Sequence, residues 1–230
     1  MLEQMQKHMN WIMWGILVLV IVSFLFFGIF PSGGGQGVAA KVNGDVITNS
    51  EWNRAYQNMA ETYRQIFKDQ YNDAMSKNLR AQALRDLVQN RLLVQEATRA
   101  GFTATDREVQ DAIMAIPAFS SQGRFNRDAY DRYLAYVNMK PAAFEESQRD
   151  AILRQKIERV IEDGVAVTDN ELKEAYASRN PKAKAADFEK NKDTFRQSLL
   201  AEKRRDALDA YVQGLYRGSK IVMGRNEAEF

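Results

Sequence analysis

The chain has 230 residues, 45% hydrophobic and 27% charged, and its 32 basic and 30 acidic side chains leave a net charge of +2. That balance excludes a strong field toward nucleic acid or another acidic partner and fits solvated, charge-laced helix faces. Cysteine is absent and His8 is the only histidine, which excludes disulfides, thiolate and zinc sites, and Ser-His-Asp or Cys-His catalysis in everything after the first ten residues.

Residues 1–10 carry Lys7 and His8 against Glu3, a modest positive excess expected to stay cytoplasmic. Residues 11–30, WIMWGILVLVIVSFLFFGIF, hold no charge. At 1.5 Å per residue they cover roughly the 30 Å hydrocarbon core, which predicts a transmembrane anchor. Val38-Ala39-Ala40 offers the small residues of a signal-peptidase site. However, the apolar run exceeds the 7–15 residues of a signal core, so the retained anchor is preferred. Residues 31–37, PSGGGQG, break the helix as a flexible linker. They lack the Gly-Lys-Ser/Thr ending of a phosphate-binding loop.

Residues 38–230 read as one helical domain. Val38 to Thr48 alternates around Asn43-Gly44, the strongest short hairpin signal. A strand-like run at Lys220 to Met223 is expected to pair with this ribbon and join the two chain ends, because a lone hairpin is marginal. Thr48 with Glu51, Thr105 with Glu108 and Thr168 with Glu171 each have capping-box spacing and fix three helix starts. The first helix carries Trp52, Tyr56, Met59, Tyr63 and Phe67 on one stripe. The second carries Leu84, Leu87, Val88 and Leu92 and stops at Gly101. The third carries Val109, Ile113 and Ile116 and ends at Pro117. After a loop through Phe119 and Phe125, a fourth helix carries Tyr130, Tyr133, Leu134 and Val137. Pro141 opens a fifth, closed by Gly164, and Thr168 a sixth, broken at Asn180-Pro181. The last runs from about Asp187 to Arg217. The predicted fold is mainly α, with a small antiparallel β ribbon.

The candidate binding residues are Ile113, Met114, Ile116, Phe119, Phe125, Tyr130, Tyr133, Met139 and Phe144. Methionine and aromatic side chains suit adaptable binding of varied partners, and a packed subdomain is the plainer reading of the same cluster. Glu145 and Glu146 are adjacent and point to different helix faces, so they form no acid–base pair. No calcium loop of the Asp-x-Asp-x-Asp-Gly kind occurs. Lys203-Arg204-Arg205 is flanked by Glu202 and Asp206 and reads as a solvated face. No cofactor, metal or catalytic residue is assigned.

Val38-Ala39-Ala40-Lys41-Val42-Asn43-Gly44-Asp45-Val46-Ile47-Thr48 resembles the opening ribbon of the SurA/PpiD-type periplasmic chaperone family. Ile116-Pro117-Ala118-Phe119, Gly123-Arg124-Phe125-Asn126 with Tyr130, and Met139 with Pro141-Ala142-Ala143-Phe144-Glu145 are similar to its membrane-anchored members. The resemblance implies a helical chaperone domain built from both chain ends, with a parvulin-type prolyl isomerase domain inserted before the closing helix. Only Ser178 to Lys190 occupies that place here, well under the ~50-residue floor of a domain. The histidines that parvulin sites use are absent from it, so isomerase activity is not expected. The resemblance also implies partners: unfolded or newly translocated polypeptides, the lipid bilayer of the bacterial inner membrane, and the Sec translocon beside it. The resulting expectation is an ATP-independent periplasmic holdase; an accessory scaffold subunit of a membrane complex is the alternative, and a prolyl isomerase the third.

Overall fold

A computed structural model describes residues 37–121, 123–181 and 185–224. The expected anchor at 11–30 and its linker, apart from Gly37, lie outside the described residues. Among the described residues no helix is long and apolar enough to cross a membrane.

The chain begins with β1 (Val38–Val42), which turns through Asn43-Gly44 into β2 (Asp45–Thr48). Both turn residues have positive φ, 52° and 100°, the backbone that a two-residue hairpin between right-twisted strands requires. A register shift between Val38 and Ala40 marks a bulge, which lets the consecutive Ala39 and Ala40 both be buried beside Val42 and Ile47. The last strand, β5 (Ile221–Met223), pairs antiparallel with β1 to give the order β2-β1-β5. The two ends of the domain therefore meet, as the sequence predicts. Asn43 secures this clasp: its amide donates to Gln95 Oε1 (2.9 Å) and Ser219 Oγ (3.2 Å), and its Oδ1 accepts the Lys220 N–H (2.8 Å). Beyond β5, the Gly224 N–H donates to the Ala39 carbonyl at 2.8 Å. A Cβ on Gly224 would lie 1.9 Å from the Val38 carbonyl oxygen, so only glycine fits this approach.

The body is helical. Helix α1 (Asn49–Phe67) starts from the Thr48–Glu51 capping box, and α2 (Asp73–Arg99) starts from an Asn72 cap and ends before Gly101, whose φ of 86° turns the chain away. The indole of Trp52 donates to the Arg80 carbonyl (2.8 Å), and the Arg80 guanidinium lies over its ring at 4.8 Å, pinning α1 to α2. Helix α3 (Asp106–Met114) starts from Thr105–Glu108, and α4 (Arg127–Tyr136) from Asn126, whose Oδ1 accepts from the Ala129 N–H. Helix α5 (Pro141–Asp163) opens on Pro141 at its first turn, and α6 (Asp169–Arg179) on Thr168–Glu171. The long α7 (Ala185–Gly218) returns to the sheet.

One core joins the sheet, α1 and α2 through Trp52, Tyr56, Leu79, Leu84, Val88 and Leu92, with Leu215 and Ile221 packed against it. A second joins α2, α5 and α7 through Leu93, Ala97, Leu153, Ile157 and Val212. Two smaller clusters lie beyond these, one around Phe119 and one around Leu172.

Two local expectations are corrected. Helix α3 ends at Met114 rather than reaching Pro117, because Ile116 is already extended ahead of the proline ring. The expected loop between Phe119 and Phe125 contains a short ribbon, β3 (Ser120–Ser121) against β4 (Arg124–Phe125), with Gly123 at φ 76° beside its turn.

Candidate functional site

Eight of the nine candidate binding residues, all but Met114, come together in one lobe formed by α3, the Pro117–Phe119 turn, the β3–β4 ribbon, α4 and the start of α5, and Met114 is the exposed last residue of α3. Its centre is Phe119, only 1% exposed. Pro117 sets a single 3-10 turn that directs this ring inward, and the Asn126 N–H closes over it onto the Phe119 carbonyl at 2.7 Å. The ring centroid lies 5.4 Å from Tyr130, 5.2 Å from Tyr133 and 5.9 Å from Phe144, each edge to face. Tyr130 and Tyr133 also meet Phe144 at 5.8 and 6.0 Å. Such geometry aligns ring edges with ring faces and adds to the burial itself.

The cluster divides into a closed centre and an open rim. Phe119, Ile113, Tyr130 and Phe144 are buried and Ile116 and Met139 partly so. Met114 is 50% exposed, Phe125 40% and Tyr133 39%. Phe125 lies 5.8 Å from Tyr130, at the junction of the two zones. The sequence reading missed one rim residue. Tyr136 is 88% exposed at the end of α4, and the only signal for it was an aromatic off the helix's apolar stripe.

The lobe is fixed to α5 by charge. Arg149 donates to the Ala104 carbonyl and to Asp106 Oδ1 (2.8 Å), and Lys156 donates to the Thr103 carbonyl (2.8 Å) and pairs with Glu108 Oε1 (2.5 Å). The Lys156 ammonium, helped by the Thr105 amide and hydroxyl, holds the Glu108 carboxyl down at about 2. Burial pushes the Tyr130 phenol up, with the nearby Glu145 carboxylate acting in the same direction. Among the described residues no group of three or more acidic or histidine side chains is placed to hold a metal ion. What the arrangement offers chemically is a fixed apolar surface with a polar frame.

The SurA-like N-terminal domain family matches residues 1–158 of this chain. The periplasmic chaperone PpiD of Escherichia coli K12 is 32% identical over 165 residues, covering 69% of this chain and 26% of that protein. The foldase protein PrsA of Caldanaerobacter subterraneus subsp. tengcongensis is 29% identical over 151 residues, covering 60% of this chain and 42% of PrsA. The chaperone SurA of Nitrosospira multiformis is 26% identical over 136 residues, covering 59% and 30%. The chain thus spans about a quarter of the length of the PpiD relatives it matches. The matched family is the one whose ribbon and Pro-Ala-Phe signatures the sequence resembles, and the match takes in β1, β2, α1 to α4 and most of α5: the chain belongs to the SurA-like N-terminal domain family.

Proposed function

We propose that this protein is a periplasmic holdase that binds unfolded or newly translocated polypeptides, without ATP, through the rim of the Phe119 lobe. The observation that carries the reading is an aromatic cluster with a rigid buried centre and two exposed rings in contact with it, Phe125 and Tyr133, while Met114 and Tyr136 stand exposed at the ends of α3 and α4. A rigid centre limits the entropy lost when the rim is covered. Covering apolar surface is worth about 25 cal/mol per Å² gross. The cost of association offsets much of that, so each contact is weak and reversible. The names of the relatives, a periplasmic chaperone, a foldase and a chaperone, support the class.

Binding rather than catalysis is favoured by the composition, with no cysteine and His8 as the only histidine. The apolar run at 11–30 would hold the domain at the outer face of the inner membrane, and the tether would raise its local concentration near emerging chains.

The test is aggregation of a denatured protein in the presence of the soluble part of the chain. The combined replacement Met114→Ser, Phe125→Ser, Tyr136→Ser, which spares the Tyr133 ring packed on Phe119, is expected to weaken protection several-fold while circular dichroism stays near wild type and the unfolding midpoint falls by little more than Phe125 alone accounts for. Equal protection by the triple variant refutes the rim. Cross-linking to one stoichiometric partner, rather than to many chains, turns the reading toward a scaffold subunit. Release of the intact protein from vesicles by alkaline carbonate removes the anchor.

A further inference from the structure

The leading turns of α3 and α6 are built from the same residue types at the same spacing: Gly101-x-x-x-Thr105-Asp106-x-Glu108 and Gly164-x-x-x-Thr168-Asp169-x-Glu171. Each carries a closed capping box, and each is followed by a buried residue, Val109 or Leu172. The match extends to the helices that receive them. Helix α5 presents Arg149 and, two turns on, Lys156; α7 presents Arg196 and, two turns on, Lys203. Arg149 donates to the Ala104 carbonyl and to Asp106, and Arg196 donates to the Val167 carbonyl (3.1 Å) and to Asp169. Lys156 donates to the Thr103 carbonyl and Glu108, while Lys203 reaches the Ala166 carbonyl (3.4 Å) and Glu171 Oε1 (2.8 Å). Four acceptors and two donors correspond one for one. The Thr48–Glu51 box meets only half of this pattern: Arg91 pairs with Glu51 at 3.3 Å, and among the described residues no second cation is paired with that turn.

The two copies differ in what backs them. The first docks α3 onto an aromatic core that also includes the Pro117 turn, α4 and α5. The second closes a cluster of three buried residues, Leu172, Phe188 and Leu199, with Val167, Ala175, Tyr176 and Phe195 partly covered. All of these come from α6, the residues leading into it and the first half of α7. Its charged groups are half exposed: Arg196, Asp169, Lys203 and Glu171, with Arg179 pairing Glu202 at 2.8 Å nearby. Lys173 and Lys192 also face Asp169. Exposed pairs of this kind are screened by salt, whereas a buried core is not.

We infer that the chain uses one docking device twice, and that the second copy is a releasable latch whose opening frees α6 from α7 while the sheet, α2 and α5 stay folded. Opening uncovers Leu172, Phe188 and Leu199 beside the partly exposed Tyr176 and Phe195, a second apolar surface on the same chain. This does not depend on the rim binding polypeptide.

Hydrogen exchange read by mass spectrometry on the full chain tests the latch. The double variant Arg196→Met, Lys203→Met removes both donors, keeps their aliphatic stems and leaves the Thr168–Glu171 cap in place. Peptides covering α6 are expected to exchange about fivefold faster, the ratio that corresponds to losing an ion pair at the strong end of the exposed range, while those of α2 and α5 do not change. The conservative Lys203→Arg is expected to retain protection, and about 1 M salt to speed α6 exchange in wild type more than in the double variant. The inference is overturned if α6 exchange is unchanged in the double variant, if it rises in step with α2, or if salt acts equally on both proteins.

Discussion

Truncating Phe119 and Phe125 separates the centre of the lobe from its rim. Phe119→Ala removes a ring that is 1% exposed and makes edge-to-face contacts with Tyr130, Tyr133 and Phe144. A buried Phe→Ala change costs about 3–5 kcal/mol, and with three aromatic neighbours left around the void, about 4 or more is expected. Phe125 is 40% exposed and has one ring neighbour within 6 Å, Tyr130. It loses only part of its area, so about 1 kcal/mol is expected. Urea unfolding followed by far-UV circular dichroism reads both, with the slope checked for constancy so that the midpoints report stability alone. Aggregation assays on the same variants should rank them the other way: Phe125→Ala loses protection while folded, and Phe119→Ala loses it only where it unfolds. Equal destabilisation by the two changes would mean that the division into centre and rim does not hold.

Gly224→Ala places a Cβ 1.9 Å from the Val38 carbonyl oxygen, so β5 must move off β1; a loss of about 1–3 kcal/mol is expected in thermal unfolding, with faster exchange confined first to the clasp. Asn43→Gly keeps the positive-φ turn but removes the links to Gln95, Ser219 and Lys220, and is expected to cost about 1–2 kcal/mol by the same measurement. Acid unfolding tests the docking carboxylates. Glu108 and Glu171 are each held down at about 2 by their lysines and threonine caps, against an ordinary value of 4.5. Their contribution is therefore complete above pH 4.5 and is lost as pH falls from there toward 2. Burial raises Asp86 and Asp150, which works in the opposite sense, so the readout is the difference between wild type and Glu108→Gln, Glu171→Gln. That difference should shrink steadily below pH 4.5, and a constant difference down to pH 2 would refute the assignment.

The features legible in the sequence are those set by neighbours in the chain. Thr48, Thr105 and Thr168 each find the Glu three residues on, and all three boxes form as their spacing predicts. Asn43-Gly44 makes its hairpin because both residues tolerate positive φ. The pairing of the last strand with the first was also legible, since a lone hairpin has an edge to satisfy. Within the candidate site, residue type and spacing brought the right side chains together but did not say which face inward. Phe119 and Tyr136 are both aromatics beside a helix. One is sealed by a proline turn and the Asn126 amide, the other stands in solvent, and only tertiary closure decides between them. The partly solvated face at Lys203 and Arg204 also hides tertiary partners that residue type alone does not name. Lys203 donates to Glu171 and Arg204 Nε to the Glu162 carbonyl, partners 32 and 42 residues away.

The short helices and the long ones are organised by different forces. Helices α1, α2, α5 and the second half of α7 meet through two extended apolar cores, so their placement follows from burial. Helices α3 and α6 have only 9 and 11 residues, too short to be stable in isolation. Each is started by a local cap, and then positioned by an arginine and a lysine that reach the unpaired carbonyls just before it. Those carbonyls are the acceptors that a turn leaves open, and a cation is the donor that satisfies them without burying a backbone group unpaired. A fold assembled in this way has a firm base of the sheet, α1, α2, α5 and the second half of α7, and at its margin two short helices that join small apolar clusters and are positioned by polar contacts. The margin is where the exposed Met114, Phe125, Tyr133 and Tyr136 lie, on α3, the β3–β4 ribbon and α4, and there side chains can rearrange without disturbing the cores beneath.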